Sequence, residues 1–432
     1  MKYFGTDGIR GKALSEVTPE LAFRVGQSIK RMPAIKTIVI GGDTRQSSTL
    51  LAMSIANGAM LAGIDVLYAN TLSTPMLALY AKLENTLGIM ITASHNPYTD
   101  NGIKIFHQEA KLSNEYELLI EAFIDSNEII KSRFCGAFKY LDDVELKYLD
   151  LYKKMNMTET NFKIGYDSAN GGNYQIAKKV FDRIAPNSIQ IGNLPNGLNI
   201  NKGVGSMHLE AIQQLVKTHQ LDFGFAFDGD GDRVNLVDQD KVYDGDFIVY
   251  MIGKYLKSKN QLPNNKVVLT KMSNPGMLES LDRLGIGYTL TDVGDKYVLV
   301  AMKKENLTVG GEASGHILLP HLIHSGDGLM AAVYLLSILT EMEMTPQSYT
   351  SEVQLYPLKT INIPNVEKTS LNHPKVVEVK QQVLNKLGDK SLLLLRPSGT
   401  EPLIRLTISH KDASLIESSI NALKTVIEEV NE

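Results

Sequence analysis

Short apolar runs that end in a polar or glycine-rich turn and lead into a helical pattern recur along the chain. Residues 37–43 are a β-branched run closed by a glycine turn, and a helical pattern follows over 47–61. The same order returns at 163–167, with its turn at 168–172, and again from 267. Strands that alternate with helices indicate parallel or mixed sheets with crossover helices, so the chain is predicted to be α/β.

The restarts of this pattern predict several domains. At 432 residues with 43% hydrophobic side chains, the chain is too long for one ordinary domain and has apolar material for several cores. We predict three similar α/β/α domains with mixed sheets and a smaller C-terminal α+β domain, bounded at 1–150, 151–250, 251–358 and 359–432. The polar interval 128–154 is interpreted as the exit from the first domain, and 355–366, which holds Pro357 and Pro364, as a linker.

Composition excludes several classes of protein. Lys and Arg total 44 against 48 acidic residues, so a net charge of −4 leaves no general footprint for nucleic acid or an anionic membrane, and we expect neither partner. The most apolar run, 329–339, is shorter than the roughly 20 residues that span a bilayer. Cys135 is the only cysteine, and the opening residues lack the apolar core of a signal peptide. We therefore expect a cytoplasmic protein.

Residues 91–97, Ile-Thr-Ala-Ser-His-Asn-Pro, follow an apolar run typical of a buried strand. Proline stops that strand, so Ser94 is expected on a tight, exposed loop at the carboxyl end of a strand, and the returning strand brings Lys104 back near it. A surface turn is the alternative for this loop taken alone. A Ser-His hydrolase is disfavoured, because neighbouring side chains on an extended chain point opposite ways and His95 cannot then serve Ser94. The Gly-x-Ser-x-Gly motif is also absent from the sequence.

Asp228, Asp230 and Asp232 alternate with glycines in a second loop. Three carboxylates held close together repel unless they are protonated or bind a cation, and hard oxygen ligands favour Mg²⁺. An EF-hand is excluded, because Arg233 and Gln239 stand where that motif requires glycine and glutamate. A plain glycine–aspartate turn is the remaining alternative.

Two further loops carry polar side chains suited to a phosphorylated sugar. Glu312, Ser314 and His316 alternate within a glycine-framed loop and could hold sugar hydroxyls. The residues of a second group could bind a phosphate dianion; they are Arg396, Ser398, Gly399, Thr400 and Arg405. The P-loop and dinucleotide signatures are absent from the sequence. Together the four loops indicate metal-assisted phosphoryl transfer on a phosphorylated polyol.

These four loops, in this order, and the opening Tyr-Phe-Gly-Thr-Asp-Gly-Ile-Arg-Gly resemble the α-D-phosphohexomutase superfamily over nearly the whole chain. The opening motif and the closing Arg-Pro-Ser-Gly-Thr-Glu-Pro are similar to its glucosamine branch. The resemblance implies four domains around a central cleft, with Ser94 as a phosphoserine. It also implies Mg²⁺ bound by Ser94, Asp228, Asp230 and Asp232, catalytic groups at Arg10, Lys104 and His316, and substrate contacts from Arg233, Glu312, Ser314 and His316.

The implied reaction converts glucosamine 6-phosphate into glucosamine 1-phosphate through a 1,6-bisphosphate, for amino-sugar nucleotide and cell-wall precursor synthesis. A catalytic trace of hexosamine 1,6-bisphosphate, or a kinase, would load the serine, and the resemblance leaves a homodimer possible. A phosphomannomutase or phosphoglucomutase of the same superfamily is the alternative. A catalytically idle sugar-phosphate-binding protein is a third hypothesis, which the intact Ser94, the three aspartates and Lys104 disfavour.

Two positions depart from the family pattern. Ala313 stands where the glucosamine branch usually has glutamine and the glucose/mannose branch has methionine, and Lys296 stands where the family usually has arginine. Lysine keeps the charge but loses the bidentate fork. We therefore predict that the preference for glucosamine phosphate is modest.

Overall fold

The computed structural model describes residues 2–5, 7–32, 34–107, 110–155, 158–397 and 403–431. Over these residues the strands form four sheets, which follow one another along the chain. Helices pack against the sheets, so the α/β architecture predicted from the sequence is confirmed.

The first sheet has the order β1-β2-β6-β5-β3-β4-β8, with β7 paired to β6. Its strands are β1 (Phe4–Gly5), β2 (Gly8–Lys12), β3 (Thr37–Gly42), β4 (Asp65–Thr71), β5 (Leu87–Ile91), β6 (Asp100–His107), β7 (Ala110–Lys111) and β8 (Phe138–Tyr140). The accompanying helices are α1 (Pro19–Ser28), α2 (Ser48–Leu61), α3 (Thr74–Leu83), α4 (Asn114–Asp125) and α5 (Val144–Lys154), with a 3₁₀ turn at Ile29–Arg31. Strands β3, β4, β5 and β8 are parallel, whereas β6 returns antiparallel to β5.

The interval 128–154 is not simply the exit from the first domain. It contains β8, which pairs in parallel with β4 through Val66 and Phe138. The rings of Phe138 and Tyr140 lie 6.1 and 5.8 Å from the ring of Tyr68. Aromatic contacts across the strands therefore extend the sheet into a segment whose polar composition indicated a boundary.

The second and third sheets repeat the strand–helix alternation. The second, of order β10-β9-β11-β12-β13, consists of β9 (Ile164–Asp167), β10 (Ile189–Ile191), β11 (Phe223–Phe227), β12 (Val234–Val237) and β13 (Val242–Tyr243), with α6 (Tyr174–Ile184) and α7 (Glu210–Thr218). The third has the order β15-β14-β16-β17. Its elements are α8 (Gly245–Ser258), a 3₁₀ turn at Pro263–Asn265, β14 (Lys266–Thr270), α9 (Pro275–Arg283), β15 (Gly287–Thr291), α10 (Asp295–Glu305), β16 (Gly310–Gly311), β17 (Ile317–Leu318), α11 (Gly328–Met342) and α12 (Pro346–Tyr349).

The last sheet, of order β18-β20-β19, is antiparallel. It consists of β18 (Leu358–Pro364), β19 (Leu392–Pro397) and β20 (Leu403–Ser409), with a 3₁₀ turn at Lys368–Asn372 and helices α13 (Pro374–Leu387) and α14 (Ala413–Glu429). The prediction of a linker over 355–366 was wrong, because β18 occupies most of it. Pro364 ends an edge strand, a position at which the missing amide hydrogen of proline breaks no sheet hydrogen bond.

Helix α11 connects the core to the aspartate loop, residues 228–232. It is buried along most of its length and packs on α8 and on strands of the second and third sheets. Asp327 caps its first turn by accepting a hydrogen bond from the N–H of Met330, and the N–H of Gly328 donates to the carbonyl of Gly231 at 3.1 Å. Among the described residues, no helix combines the length and the apolar character needed to span a bilayer.

Candidate active site

Ser94 lies in the loop between β5 and β6, at the carboxyl end of β5. Its backbone is in the left-handed region, with a φ of 53°, and the residue is fully buried. The prediction of an exposed loop is therefore wrong for Ser94, although residues 97–99 of the same loop are exposed. Arg45 and Asn201 donate hydrogen bonds to the Ser94 carbonyl.

The Ser94 hydroxyl faces the aspartate loop. Its Oγ donates to Asp228 Oδ2 at 2.5 Å and lies 3.3 Å from Nδ1 of His95. The expectation that the side chains of Ser94 and His95 point apart was wrong, because the left-handed conformation at Ser94 interrupts the extended chain. Burial, and then the positive charges of Arg233 and Arg10, lower the pKa of His95 to about 4, so this imidazole is neutral at physiological pH.

Asp228, Asp230 and Asp232 are buried, and one carboxylate oxygen from each lies within 4.8 Å of the others. They follow β11 at the carboxyl edge of the second sheet. Burial, followed by repulsion from Asp232 and Asp230, raises the pKa of Asp228 well above its usual range. Burial also opposes ionisation of Asp232, but His316 and Lys104 outweigh it and hold the pKa of that carboxyl well below its usual range.

Cationic side chains from the first sheet enter this cluster. Lys104, on β6, is almost fully buried, and its Nζ donates to Asp230 Oδ2 and Asp232 Oδ2, each at 2.8 Å. It also lies 3.1 Å from Asp7, which forms an ion pair with Arg10 of β2. Burial alone would lower the pKa of Lys104, but the surrounding carboxylates raise it well above its usual range, so the ammonium is charged.

The loop between β16 and β17 contributes His316 and Glu312. His316 Nε2 lies 2.9 Å from Asp232 Oδ1, and its Nδ1 lies 3.3 Å from Glu312 Oε2. Burial opposes the charged imidazolium, but Asp232 raises the pKa of His316 to about 10. The backbone of Arg233 forms a bridge with that of His316, which joins the aspartate loop to this one. Ser314 is exposed, so its hydroxyl is accessible to a ligand.

A divalent cation fits this donor set. Asp230 Oδ1 is buried and accepts no hydrogen bond from any residue in the described ranges. The carboxylates of the three aspartates also converge within a few ångströms, although like charges repel. Hard carboxylate oxygens of this kind match Mg²⁺ better than a soft metal.

The arginines predicted to hold a phosphate form a separate group in the last sheet. Arg396 of β19 and Arg405 of β20 are partners across the antiparallel ladder, and Arg396 contacts the sulfur of Met272 from the third domain. Burial and the nearby charge of Arg405 lower the pKa of Arg396. Ser398, Gly399 and Thr400, predicted to complete the phosphate cradle, lie outside the described residues.

The structure adds residues that the sequence analysis did not single out. Arg45 and Asn201 hold the backbone of the Ser94 loop, and Thr74 Oγ1 donates to Asp230 Oδ2 at 2.5 Å. The sequence contained one usable signal for Arg45, since Asp-Thr-Arg directly follows the glycine turn that ends β3. The carboxyl end of a parallel strand is where open α/β sheets place functional groups.

Models of known protein families match the chain domain by domain. The models of the phosphoglucomutase/phosphomannomutase alpha/beta/alpha domains I, II and III match residues 1–130, 139–241 and 244–356. The phosphoglucomutase/phosphomannomutase C-terminal domain matches residues 360–422. A phosphoglucosamine mutase of Bacillus licheniformis is 39% identical over 99% of this chain and 98% of its own length.

Solved structures share the fold. A phosphoglucomutase/phosphomannomutase family protein from Burkholderia thailandensis superposes with a TM-score of 0.80 at 19% identity, over 98% of this chain and 97% of that one. The N-acetylphosphoglucosamine mutase of Aspergillus fumigatus, solved with GlcNAc-6P and magnesium, gives a TM-score of 0.69 at 16% identity. That comparison covers 100% of this chain and 96% of the fungal one.

Four domains in this order, with a buried serine against three aspartates, define a phosphohexomutase, an isomerase that moves a phosphoryl group within a sugar phosphate. The family models and the near full-length identity place the chain more narrowly. It belongs to the phosphoglucosamine mutase family.

Proposed function

We propose that this chain interconverts glucosamine 6-phosphate and glucosamine 1-phosphate with Ser94 as the phosphoryl carrier. The observation that carries the proposal is the 2.5 Å hydrogen bond from the buried Ser94 Oγ to Asp228, beside two further buried aspartates. A phosphoserine brings about two negative charges. A buried site that joins such a group to carboxylates requires positive charge, which Lys104 and a divalent cation would provide.

In the forward direction the sugar O1 attacks the phosphorus of phospho-Ser94. The new P–O1 bond forms as the P–Oγ bond breaks, which yields the 1,6-bisphosphate and a free serine hydroxyl. The O1 proton leaves to a base, and Oγ receives a proton. The bisphosphate then reorients, and Oγ attacks the phosphorus on O6. The P–Oγ bond forms as the P–O6 bond breaks, Oγ gives its proton to a base and O6 takes up a proton. This second transfer releases glucosamine 1-phosphate and restores phospho-Ser94.

Within this scheme we assign Lys104 as the proton carrier near Ser94 and Arg10 as a cation that balances the phosphate charge. Both lie on strands of the first sheet that pair directly, β2 and β6. The charged ammonium of Lys104 is suited to stabilise negative charge on Oγ in the transition state. His316 keeps the more peripheral acid/base assignment, because Asp232 and Glu312 hold both of its ring nitrogens.

We assign Asp228, Asp230 and Asp232, together with the oxygen of phospho-Ser94, as the residues that would hold Mg²⁺. When bound, the ion would neutralise charge on the transferring phosphoryl group. The three aspartates orient that centre, and Thr74 holds one oxygen of Asp230.

The remaining predicted residues are assigned to substrate binding. Glu312, Ser314 and Arg233 would contact the sugar and its phosphate, with His316 ordering the loop between them. Arg396 and Arg405, with Ser398, Gly399 and Thr400, would bind the phosphate that is not reacting, since guanidinium forks match phosphate oxygens. A trace of hexosamine 1,6-bisphosphate or a kinase would load Ser94. We place the protein in the cytoplasm, where its product would enter amino-sugar nucleotide and cell-wall precursor synthesis.

The test measures kcat/KM for glucosamine, glucose and mannose 6-phosphates with Mg²⁺ and a catalytic trace of the matching bisphosphate. We expect glucosamine 6-phosphate to be preferred, but modestly, because Ala313 lacks a side-chain amide that could hydrogen-bond the substituent. Ala313→Gln should sharpen the preference or leave it unchanged. Glucose or mannose phosphate turned over as efficiently as glucosamine phosphate would overturn the substrate assignment.

A further inference from the structure

Two side chains from different domains hold the same backbone carbonyls of the Ser94 loop. Arg45, which follows β3, donates from Nη2 to the carbonyl oxygens of Ser94 and Asn96, each at 2.9 Å. Its Nη1 donates to the carbonyl of Pro97 at 3.1 Å. Asn201, between β10 and α7, donates from Nδ2 to the same oxygens of Ser94 and Asn96, again at 2.9 Å. The loop is therefore clamped from the first and the second domain together.

Both donors are themselves fixed in place. The Arg45 side chain is fully buried, and its Nε lies 3.1 Å from Oδ2 of Asp43, whose other oxygen accepts hydrogen bonds from the N–H of Arg45 and the hydroxyl of Ser48. Asn201 is almost fully buried, and its own N–H donates to the carbonyl of Ala169 at 2.9 Å. Because Arg45 and Asn201 are themselves held by hydrogen bonds, they restrict the movement of the Ser94 loop.

The Ser94 loop needs such support. A residue other than glycine in the left-handed region is unfavourable and persists only where its surroundings impose that conformation. The aspartate loop packs against the Ser94 carbonyl, since a Cβ added at Gly229 would lie 2.7 Å from that carbonyl oxygen. The position of this one carbonyl therefore sets where the Ser94 hydroxyl lies relative to Asp228.

We infer that Arg45 and Asn201 are positioning residues for phosphoryl transfer. By holding the Ser94 carbonyl, they keep the Ser94 Oγ beside the three aspartates. The inference rests on the proposed role of Ser94 as the carrier. Neither side chain is assigned a contact with the sugar or its phosphate. Loosening the clamp should therefore slow the transfer step and leave substrate binding unchanged.

The test uses two variants that spare the local fold. Arg45→Lys keeps a positive charge beside Asp43 but loses the fork, and Asn201→Gly removes the amide while tolerating the φ of 57°. Matched controls lie away from the site. In Arg24→Lys, an arginine that donates to the carbonyls of Phe123 and Ser126 is changed in the same way. In Asn306→Gly, another asparagine with a positive φ, 54°, is replaced.

We expect each clamp variant to lower kcat by roughly 100-fold, the loss typical of a misplacement of about 1 Å, with KM within twofold of the parent. The single-turnover rate of Ser94 phosphorylation by the 1,6-bisphosphate should fall in parallel, while Tm stays within a few degrees of the control variants. A kcat within threefold of the controls for Asn201→Gly would overturn the positioning role. A KM that rises in proportion as kcat falls would also overturn it. If Arg45→Lys fails to fold, Asn201→Gly decides alone.

Ser94→Ala separates this inference from the proposed function. An active Ser94→Ala enzyme would overturn the carrier assignment and the positioning role with it. An inactive Ser94→Ala enzyme, combined with clamp variants that turn over normally, would overturn the positioning role alone.

Discussion

Ser94 combines a reactive side chain with an unfavourable backbone conformation. Its φ of 53° turns the hydroxyl away from the extended course of β5 and toward Asp228 in the second domain. The cost is met by hydrogen bonds to its carbonyl from Arg45 and Asn201. At this residue the reactive geometry and the local strain therefore have the same origin.

Ser94→Ala should abolish mutase turnover and the covalent phosphate, because no side-chain oxygen remains to carry it. Removing the hydroxyl leaves Asp228 Oδ2 without that donor, so we expect a destabilisation of about 1–3 kcal/mol and a folded protein. Coupled kinetic assays, intact mass spectrometry and thermal unfolding measure the three effects. Ser54→Ala is the control, because that exposed hydroxyl donates to the Leu50 carbonyl of its own helix. Near-normal turnover by Ser94→Ala would remove Ser94 as the carrier.

Asp230→Asn should weaken Mg²⁺ binding and reduce activity, because an amide oxygen offers no charge to the cation. Lys104 would also lose one of its carboxylate partners. The parent protein should gain thermal stability as Mg²⁺ is added, and the variant should gain much less at the same concentration. Asp240→Asn, in the exposed turn after β12, is the control. Equal stabilisation of Asp230→Asn and the parent, or full parental activity after exhaustive chelation, would contradict the metal assignment.

At the scale of elements, the amino end of α11 packs directly against the aspartate loop. Asp327 caps this helix, and Gly328 lies so close to the loop that a Cβ there would overlap the carbonyl of Arg233. The backbone N–H of Gly328 also donates a hydrogen bond to the carbonyl of Gly231. The position of a buried helix therefore helps to determine where three carboxylates meet.

Gly328→Ala should displace the aspartate loop, because the three atoms nearest the added methyl group belong to the backbone of Arg233 and Gly231. Overpacking of this kind costs about 1–3 kcal/mol, so Tm should fall and mutase activity should fall more steeply. Gly287→Ala is the matched control, since its nearest contact is a flexible lysine side chain at 3.6 Å. Thermal unfolding and kcat would be measured for both. Parental kcat and Tm in Gly328→Ala would show that the loop does not depend on this close contact.

At the scale of the whole molecule, the site is assembled from parts that are distant in sequence. The first domain contributes Ser94 and Lys104, the second the aspartates, and the third His316. The arginines of the last sheet form a group of their own, in contact with the third domain through Met272. The proposed function therefore places phosphoryl transfer at Ser94 and the aspartates, and binding of the non-reacting phosphate at the arginines of the last sheet.

Arg396→Ala should raise KM for the sugar phosphate by roughly 10- to 100-fold, the equivalent of losing a charge-assisted hydrogen bond of about 1.5–3 kcal/mol. Phosphorylation of Ser94 by a kinase should be unaffected, because Arg396 belongs to a different sheet. Lys359→Ala, which removes an exposed ion pair with Glu417 in the same domain, is the control. Initial rates and intact mass measure the two effects. An unchanged KM would take Arg396 out of the substrate site.

The sequence alone determined the features that depend on local pattern. Strand–helix alternation specified the α/β class, and Asp-Gly-Asp-Gly-Asp specified a loop that gathers carboxylates. Proline after the apolar run placed the Ser94 loop between two strands, where the structure has it. These features were accessible because hydrophobic periodicity and turn chemistry act over a few residues.

Only the tertiary structure decided which of these loops meet, and how. Burial of Ser94, its contact with His95 and the clamp formed by Arg45 and Asn201 depend on residues 49 and 107 positions away along the chain. The polar composition of 128–154 did not reveal β8, and the prolines of 355–366 did not reveal β18, because each strand forms by pairing with a distant neighbour. Backbone hydrogen bonds between strands and desolvation of charged groups arise only when distant segments are brought together, and no local pattern encodes them.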